Sequence, residues 1–303
     1  MAKKPSMVMK PSAPTKYSPE LEKHKYDLFL NLPKDRIISM SNAAGGELYE
    51  GEVSAKGQRH GKGTLRWPNG NAYFGNWTEG SMVGQGLFLY AAENDTYRGE
   101  FLDDKKHGKG RYEFANGNFY EGQFSKDRRD GKGRYSWTCG DSYDGDWAEG
   151  HMEGEGVTIY SNGNKYTGHF SNDRREGFGK LVCSDGLSYE GEWEKNMRHG
   201  TGTLKFPNGD YYVGKWENDK KHGKGKDVFS TGNVFEGDYK DNVKHGDGVM
   251  TYANGDIYKG EWRGDKMEGK GLYKFANGFV YDGDWVADVR HGRGSYTFPI
   301  GHV

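Results

Sequence analysis

Aromatic and small residues alternate with polar ones along most of the chain, in short runs with a period of two. A representative stretch reads Gly110-Arg111-Tyr112-Glu113-Phe114, then Asn116-Gly117, then Tyr120-Glu121-Gly122-Gln123-Phe124. Period two sends successive side chains to opposite faces of an extended strand, so both runs are predicted to be β-strands. Asn-Gly between two such runs predicts a two-residue type I′ turn, in which both central residues need positive φ. Each unit is therefore expected to be a β-hairpin. The following segment, for example Lys105-Lys106-His107-Gly108-Lys109-Gly110, is expected to turn the chain back to the next hairpin.

The unit recurs. Tyr-x-Gly starts at Tyr49, Tyr73, Tyr97, Tyr120, Tyr143, Tyr166, Tyr189, Tyr212, Tyr258 and Tyr281, with Phe235 standing in once, and the steps are 24 residues twice and 23 thereafter. Gly-x-Gly keeps step with it, from Gly61/Gly63 through Gly200/Gly202 to Gly292/Gly294. Fixed-period self-similarity marks a repeat architecture, in which units too small to stand alone bury their apolar faces on their neighbours. The expectation is an all-β fold, an elongated single-layer antiparallel sheet of about eleven stacked hairpins, roughly 100 Å long at about 4.8 Å per strand.

The unit resembles the MORN motif, Y-x-G-x-W-x-x-G-x-x-H-G-x-G. The best copies run from Tyr189-Glu190-Gly191-Glu192-Trp193 to His199-Gly200-Thr201-Gly202, and from Tyr212-Val213-Gly214-Lys215-Trp216 to His222-Gly223-Lys224-Gly225. The resemblance covers about residues 46 to 303. Val83 and four acids (Asp130, Glu153, Glu176, Glu268) take the His slot, and Asp227 takes an aromatic slot. These departures read as changes of surface that leave the fold intact. Residues 1–45 form an N-terminal extension. Its first 16 residues, rich in Lys, Pro and Ser, are expected to be disordered by themselves. Ser18-Pro19, an N-cap followed by a first-turn proline, predicts a short helix within 18–33, with Leu21, Tyr26, Leu28, Phe29, Leu30 and Leu32 as its apolar residues. It reads either as a cap on the first hairpin or as a partner-binding segment.

Composition supports a thin fold. Hydrophobic residues make up only 33% of the chain, too few for a thick aliphatic core, while aromatics at 15% are too many for disorder. Forty-three Lys and Arg against 44 Asp and Glu leave no basic field, so nucleic acid is not an expected partner. Two cysteines, Cys139 and Cys183, make neither a disulfide framework nor a zinc signature. The basic start lacks an apolar run of signal-peptide length, and a cytoplasmic protein is expected.

No catalytic set stands out, and neither enzymatic activity, cofactor nor metal is expected. The slot histidines (His60, His107, His199, His222, His245, His291) recur two strands apart, about 9 to 10 Å, too far to share one zinc ion. Their expected role is to steady the return turn. The Gly-x-Gly pairs match neither a dinucleotide fingerprint nor a P-loop. The position before the His slot reads Arg59, Met82, Lys106, Arg129, Met152, Arg175, Arg198, Lys221, Lys244, Met267 and Arg290. Its eight basic residues are expected to form a line of charge along one edge, either neutralised by the acids after Tyr-x-Gly (Glu52, Glu100, Asp146, Glu192, Asp238, Glu261, Asp284) or open to an acidic partner or anionic lipid. Rings left uncovered, among them Trp193, Trp216, Trp262 and Trp285, are expected to make a groove for a peptide or helix.

Proteins made almost wholly of such repeats are similar to radial spoke head components of ciliary and flagellar axonemes. The resemblance implies a structural scaffold whose partners are other spoke-head subunits. The alternative is a membrane- or cytoskeleton-associated MORN scaffold binding anionic phospholipid. Open sheet edges pair with other chains, so the C-terminal edge and the aromatic groove are expected to be buried by another subunit, either a second copy, giving a homodimer, or a different spoke-head protein.

Overall fold

A computed structural model of the chain describes residues 38–41 and 46–299, and the predicted helix within 18–33 lies outside them. The described residues carry 23 β-strands and no helix, from β1 (Ile38–Ser41) to β23 (Val289–Thr297). β1 pairs antiparallel with β2 (Leu48–Val53), so strand pairing already begins in the stretch assigned to the extension. The chain divides into two compact units, one ending at Arg129 and the other starting at Asp130. In the first, consecutive strands from β1 to β8 (Phe119–Ser125) pair antiparallel. In the second, consecutive strands from β9 (Arg128–Ser136) to β23 do the same.

The turns are the reverse of the expectation. Both central φ values are positive not at Asn-Gly but at pairs such as Asp103-Asp104 (48° and 63°), Lys195-Asn196 (49° and 73°) and Asp241-Asn242 (50° and 76°). These are the type I′ turns. Lys195-Asn196 joins β14 (Ser188–Glu194) to β15 (Met197–Lys205). At Asn208-Gly209 only the glycine has positive φ, Gly209 N–H donates to Phe206 O, and Phe206 N–H donates to Asp210 O. That is a three-residue loop, a type I turn closed by a left-handed glycine. Asn208 Oδ1 also accepts from Asp210 N–H at 3.0 Å, a bond that suits Asn to the middle of this loop. Lys105-Lys106-His107-Gly108-Lys109-Gly110, read as a return turn, is the first two thirds of strand β7 (Lys105–Glu113).

Inside the strands a glycine row organises the packing. In the second unit Gly191 pairs with Gly202, Gly202 with Gly214, and Gly214 with Gly225, and the row continues across neighbouring strands. The Tyr189 ring lies across its own Gly191–Gly202 pair, where any Cβ would collide with it. Its hydroxyl donates to Glu192 O at 3.0 Å. Trp193 stands edge-on to Tyr189 (5.1 Å, 89°), and Trp216 of the next repeat packs edge-on to the same ring (5.4 Å, 86°). Tyr73, Tyr97, Tyr143, Tyr166, Tyr212 and Tyr258 likewise sit between two near-perpendicular rings, the geometry that aligns ring edges with ring faces. Tyr73, Tyr97, Tyr120, Tyr143, Tyr166, Tyr212 and Tyr258 are all 0% exposed. In the second unit the core is this stack of rings on one face of the sheet, while the first unit also buries Ala72, Phe74, Leu87 and Leu89 on its other face.

Side chains clip repeat to repeat at both ends of the hairpins. Asn196, second in its I′ turn, accepts Arg175 N–H on Oδ1 (2.9 Å) and returns its own N–H to Arg175 O (3.0 Å). Asp219 and Arg198, Asn242 and Lys221, and Asp265 and Lys244 repeat the exchange. At the opposite end, Asp210 Oδ1 accepts Ser230 N–H (2.7 Å) and Asp256 Oδ1 accepts Ala276 N–H (2.8 Å). Where this acceptor is apolar, at Leu187 and Phe279, the donor position holds a proline, Pro207 and Pro299, which has no N–H to satisfy.

Candidate interaction surfaces

The basic line and the aromatic face are one feature. Arg175 lies 4.2 Å over Trp193 and 5.5 Å over Tyr166, Arg198 lies 4.3 Å over Trp216, and Lys244 lies 5.0 Å over Trp262. Lys106 covers Tyr112 at 4.8 Å, Lys221 covers Tyr212 at 4.5 Å, Arg59 covers Trp77 at 5.1 Å, and Arg129 stands 5.8 Å from the Tyr120 ring. Each cation is half-buried, and burial holds the Lys106 and Lys244 ammonium groups below the ordinary lysine range. The expected open groove is therefore closed. Trp193, Trp216, Trp262 and Trp285 are 3 to 4% exposed. Their indole N–H groups donate to the carbonyls of Gly179, Gly202, Gly248 and Gly271. The cations follow from packing: an Arg or Lys stem covers ring edges while its charge meets the ring face. Only Arg290, on β23, is largely exposed.

The acids after Tyr-x-Gly do not neutralise this line. Between the pairs Gly191–Gly202 and Trp193–Arg198, three residues (His199, Gly200, Thr201) face Glu192 alone, a bulge that leaves an amide outside the ladder. Glu192 accepts that amide, Thr201 N–H, at 2.8 Å, and Glu52, Glu100, Asp146, Glu261 and Asp284 do the same in their repeats. The slot histidines lie in these bulged strands and not at a turn. Acids in that slot are caps: Glu176 accepts Lys195 N–H and Glu268 accepts Ala287 N–H, each at 3.0 Å, at the start of the next I′ turn. Among the described residues, no group of three or more His, Cys, Asp or Glu has metal-holding geometry. Cys139 is exposed and Cys183 half-buried, and both are free thiols.

Asp227 breaks the aromatic pattern with a buried polar cluster. It is 8% exposed, its carboxylate takes Lys221 Nζ at 2.6 and 2.7 Å, and it accepts the Tyr239 hydroxyl at 2.6 Å. Burial, and then the carboxylate beside it, push the Tyr239 phenol far above its ordinary range. Removing one member strands a buried charge. Asp227→Ala is expected to destabilise its repeat by about 3 kcal/mol. Lys221→Met with Asp227→Tyr, which restores an apolar stack, is expected to be neutral or stabilising. Denaturant unfolding of both variants checks this, and a mild Asp227→Ala phenotype would contradict it.

The opposite face of the second unit is where apolar groups remain open. Phe178 (62% exposed), Val213 (44%) and Leu272 (38%) all have the parity opposite to the Tyr and Trp positions. A groove there is lined by Val213, Lys226, Glu236, Val249 and Lys259. Flanking charges pair with each other, as in Lys180–Glu190 at 2.9 Å and Lys226–Glu236 at 3.4 Å. The aromatic residues dominate the sequence pattern, and the structure buries them on the other face. In the sequence these reverse-face residues show only as apolar residues at positions where other repeats carry charge. β23 is exposed along its whole length, with Val289 at 64% and neighbouring Phe298 at 62%.

Eleven consecutive matches to the MORN repeat family cover residues 49–72, 73–93, 97–119, 120–142, 143–165, 166–188, 189–211, 212–234, 235–257, 258–280 and 281–303. The chain belongs to the MORN repeat family. Human ALS2 C-terminal-like protein is 33% identical over 93 residues, which is 22% of this MORN chain and 10% of that protein. Rat Alsin is 32% identical over 82 residues, 18% of this chain and 5% of Alsin. The chain thus spans a small fraction of the length of these relatives. A solved TCP10 domain of Danio rerio CPAP, in complex with a STIL peptide, covers 82% of this chain and 93% of its own at 12% identity, with a TM-score of 0.20.

Proposed function

We propose that this MORN protein is a non-catalytic scaffold that holds other protein subunits, and that it works in the radial spoke head of motile cilia or flagella. Eleven MORN repeats fill residues 49–93 and 97–303, and the spoke-head reading rests on the resemblance to such repeat arrays. The observation carrying the scaffold reading is the closed ring face: cations and indoles are spent on holding repeats together, which leaves Phe178, Val213 and Leu272 on the reverse face to meet a partner's apolar segment. The exposed β23 edge is expected to take a strand from a second copy. The half-buried basic line argues against the lipid alternative, because headgroups need extended, solvated cations.

The test is purification of the tagged full chain from ciliated cells. It is expected to fractionate with axonemes and known spoke-head subunits, and Phe178→Glu with Val213→Glu is expected to cut that recovery at least tenfold while the protein stays folded. Recovery with membranes, together with binding to phosphatidylserine vesicles, would overturn the proposal in favour of a lipid scaffold.

A further inference from the structure

The reverse face of the first unit differs from that of the second. Ala72 (0% exposed), Phe74 (1%), Leu87 (5%) and Leu89 (6%) form one buried cluster on β4 (Ala72–Thr78) and β5 (Ser81–Tyr90). Thr64, on adjoining β3 (Arg59–Arg66), is 2% exposed. Phe74 lies between a repeat's Tyr and its first paired Gly, and Leu87 follows a paired Gly. Apolar residues in those positions of the second unit are more open: Val213 and Leu272 are 44% and 38% exposed, and Val157 and Val249 are half-buried. Neighbours on one flat face hide a side chain from the side only, since strands are about 4.8 Å apart and side chains stand perpendicular to the sheet. A phenylalanine sealed to 1% has another layer over it.

We propose that this layer is the chain's own N-terminal segment, residues 18–33, packed across β3 to β5 on the reverse face. Its apolar residues, Leu21, Tyr26, Leu28, Phe29, Leu30 and Leu32, match an apolar patch. Its point of entry is close. The chain joins the sheet at Ile38 in β1, and the three strand spacings from β1 to β4 amount to about 14 Å, whereas the five residue steps from 33 to 38 reach about 17 Å when extended. The width also fits: a helix about 10 to 12 Å across covers the three strands that hold the buried residues. The segment covers a face and not the sheet edge, and it occupies in the first unit the surface that the second unit presents bare. The proposal stands whether or not the spoke-head reading holds, because the contact lies within one chain.

Amide hydrogen exchange on the full-length protein tests it, with two variants. In the unaltered chain, amides within 18–33 are expected to exchange at least tenfold more slowly than those of residues 1–16. Phe74→Glu with Leu87→Glu is expected to abolish that difference and leave protection from β9 to β23 unchanged. Leu28→Glu with Leu30→Glu, which cannot disturb sheet packing directly, is expected to do the same and to raise binding of a hydrophobic dye severalfold. Rapid exchange of 18–33 in the unaltered chain would overturn the proposal. So would a full-length dimer that Phe74→Glu dissociates and Leu28→Glu does not, since the cover would then be a second copy.

Discussion

Raising the pH above about 11 is expected to unfold the array steeply, with phenolate absorbance appearing in step with the loss of β-sheet circular dichroism. Burial raises Tyr73, Tyr97, Tyr143, Tyr166, Tyr189, Tyr212 and Tyr258 well above the ordinary phenol range, and pushes Tyr49 up to about 12. A raised phenol keeps its proton in the folded state after the unfolded chain has lost it near pH 10. The stability it contributes is therefore complete below about pH 10 and is lost as the pH climbs toward the folded value. Each such tyrosine removes about 1.4 kcal/mol per pH unit within that window, so seven of them remove about 10 kcal/mol per unit across the array. Each hydroxyl is also a hydrogen-bond donor, as Tyr189 is to Glu192 O, and an ionised oxygen would face that carbonyl without a proton. Tyrosines titrating near pH 10 with the sheet intact would contradict the ring stack as the core.

Gly191→Ala is expected to destroy its repeat, at about 4 kcal/mol or more. A methyl group there would stand 2.6 Å from Thr201 O and 2.7 Å from Tyr189 Oη. The carbonyl belongs to the paired strand and the ring is held between Trp193 and Trp216, so neither yields cheaply. The control is Gly150→Asn. Gly150 has φ +96° with open space around a Cβ, and Asn occupies the same turn position at Asn196 and Asn242. Its effect is expected to stay within about 0.5 kcal/mol. Repeat arrays open locally, so the readout is exchange protection of β14 and β15 rather than one global midpoint. Equal effects at the two glycines would show that backbone freedom matters and close ring contact does not.

The strands and their period were legible because alternation and the Tyr-x-Gly spacing repeat eleven times with little noise. The turns were not. Asn-Gly is the strongest hairpin signal in isolation, but here it closes three-residue loops, while pairs such as Lys195-Asn196 take the I′ conformation because Asn196 is also bound to Arg175 of the preceding repeat. That bond spans 21 residues, and no local window contains it. The basic line is visible in the sequence, but what it lies on is not, for a related reason. The sequence puts Arg198 beside His199, whereas the bulged strand lays its guanidinium on Trp216, a ring from the next repeat. Charge read along the chain suggests an exposed edge, and charge read across the sheet shows a cover. The reverse-face residues escaped notice because Phe178 or Val213 alone breaks no pattern.

The matched donors and acceptors at the loop ends make these repeats unequal parts despite their common outline. The repeat beginning at Tyr212 is preceded by Pro207 and fits only behind a neighbour with no acceptor to offer, as Leu187 provides. Transplanted behind Asp256, it would leave a carboxylate without its amide, and a serine-bearing loop placed behind Leu187 would leave an amide without its carboxylate. Internal duplication or shuffling by single repeats should therefore fail at such junctions, while blocks cut to keep both partners should survive. Copy order in this protein is written in its loops and not in its strands.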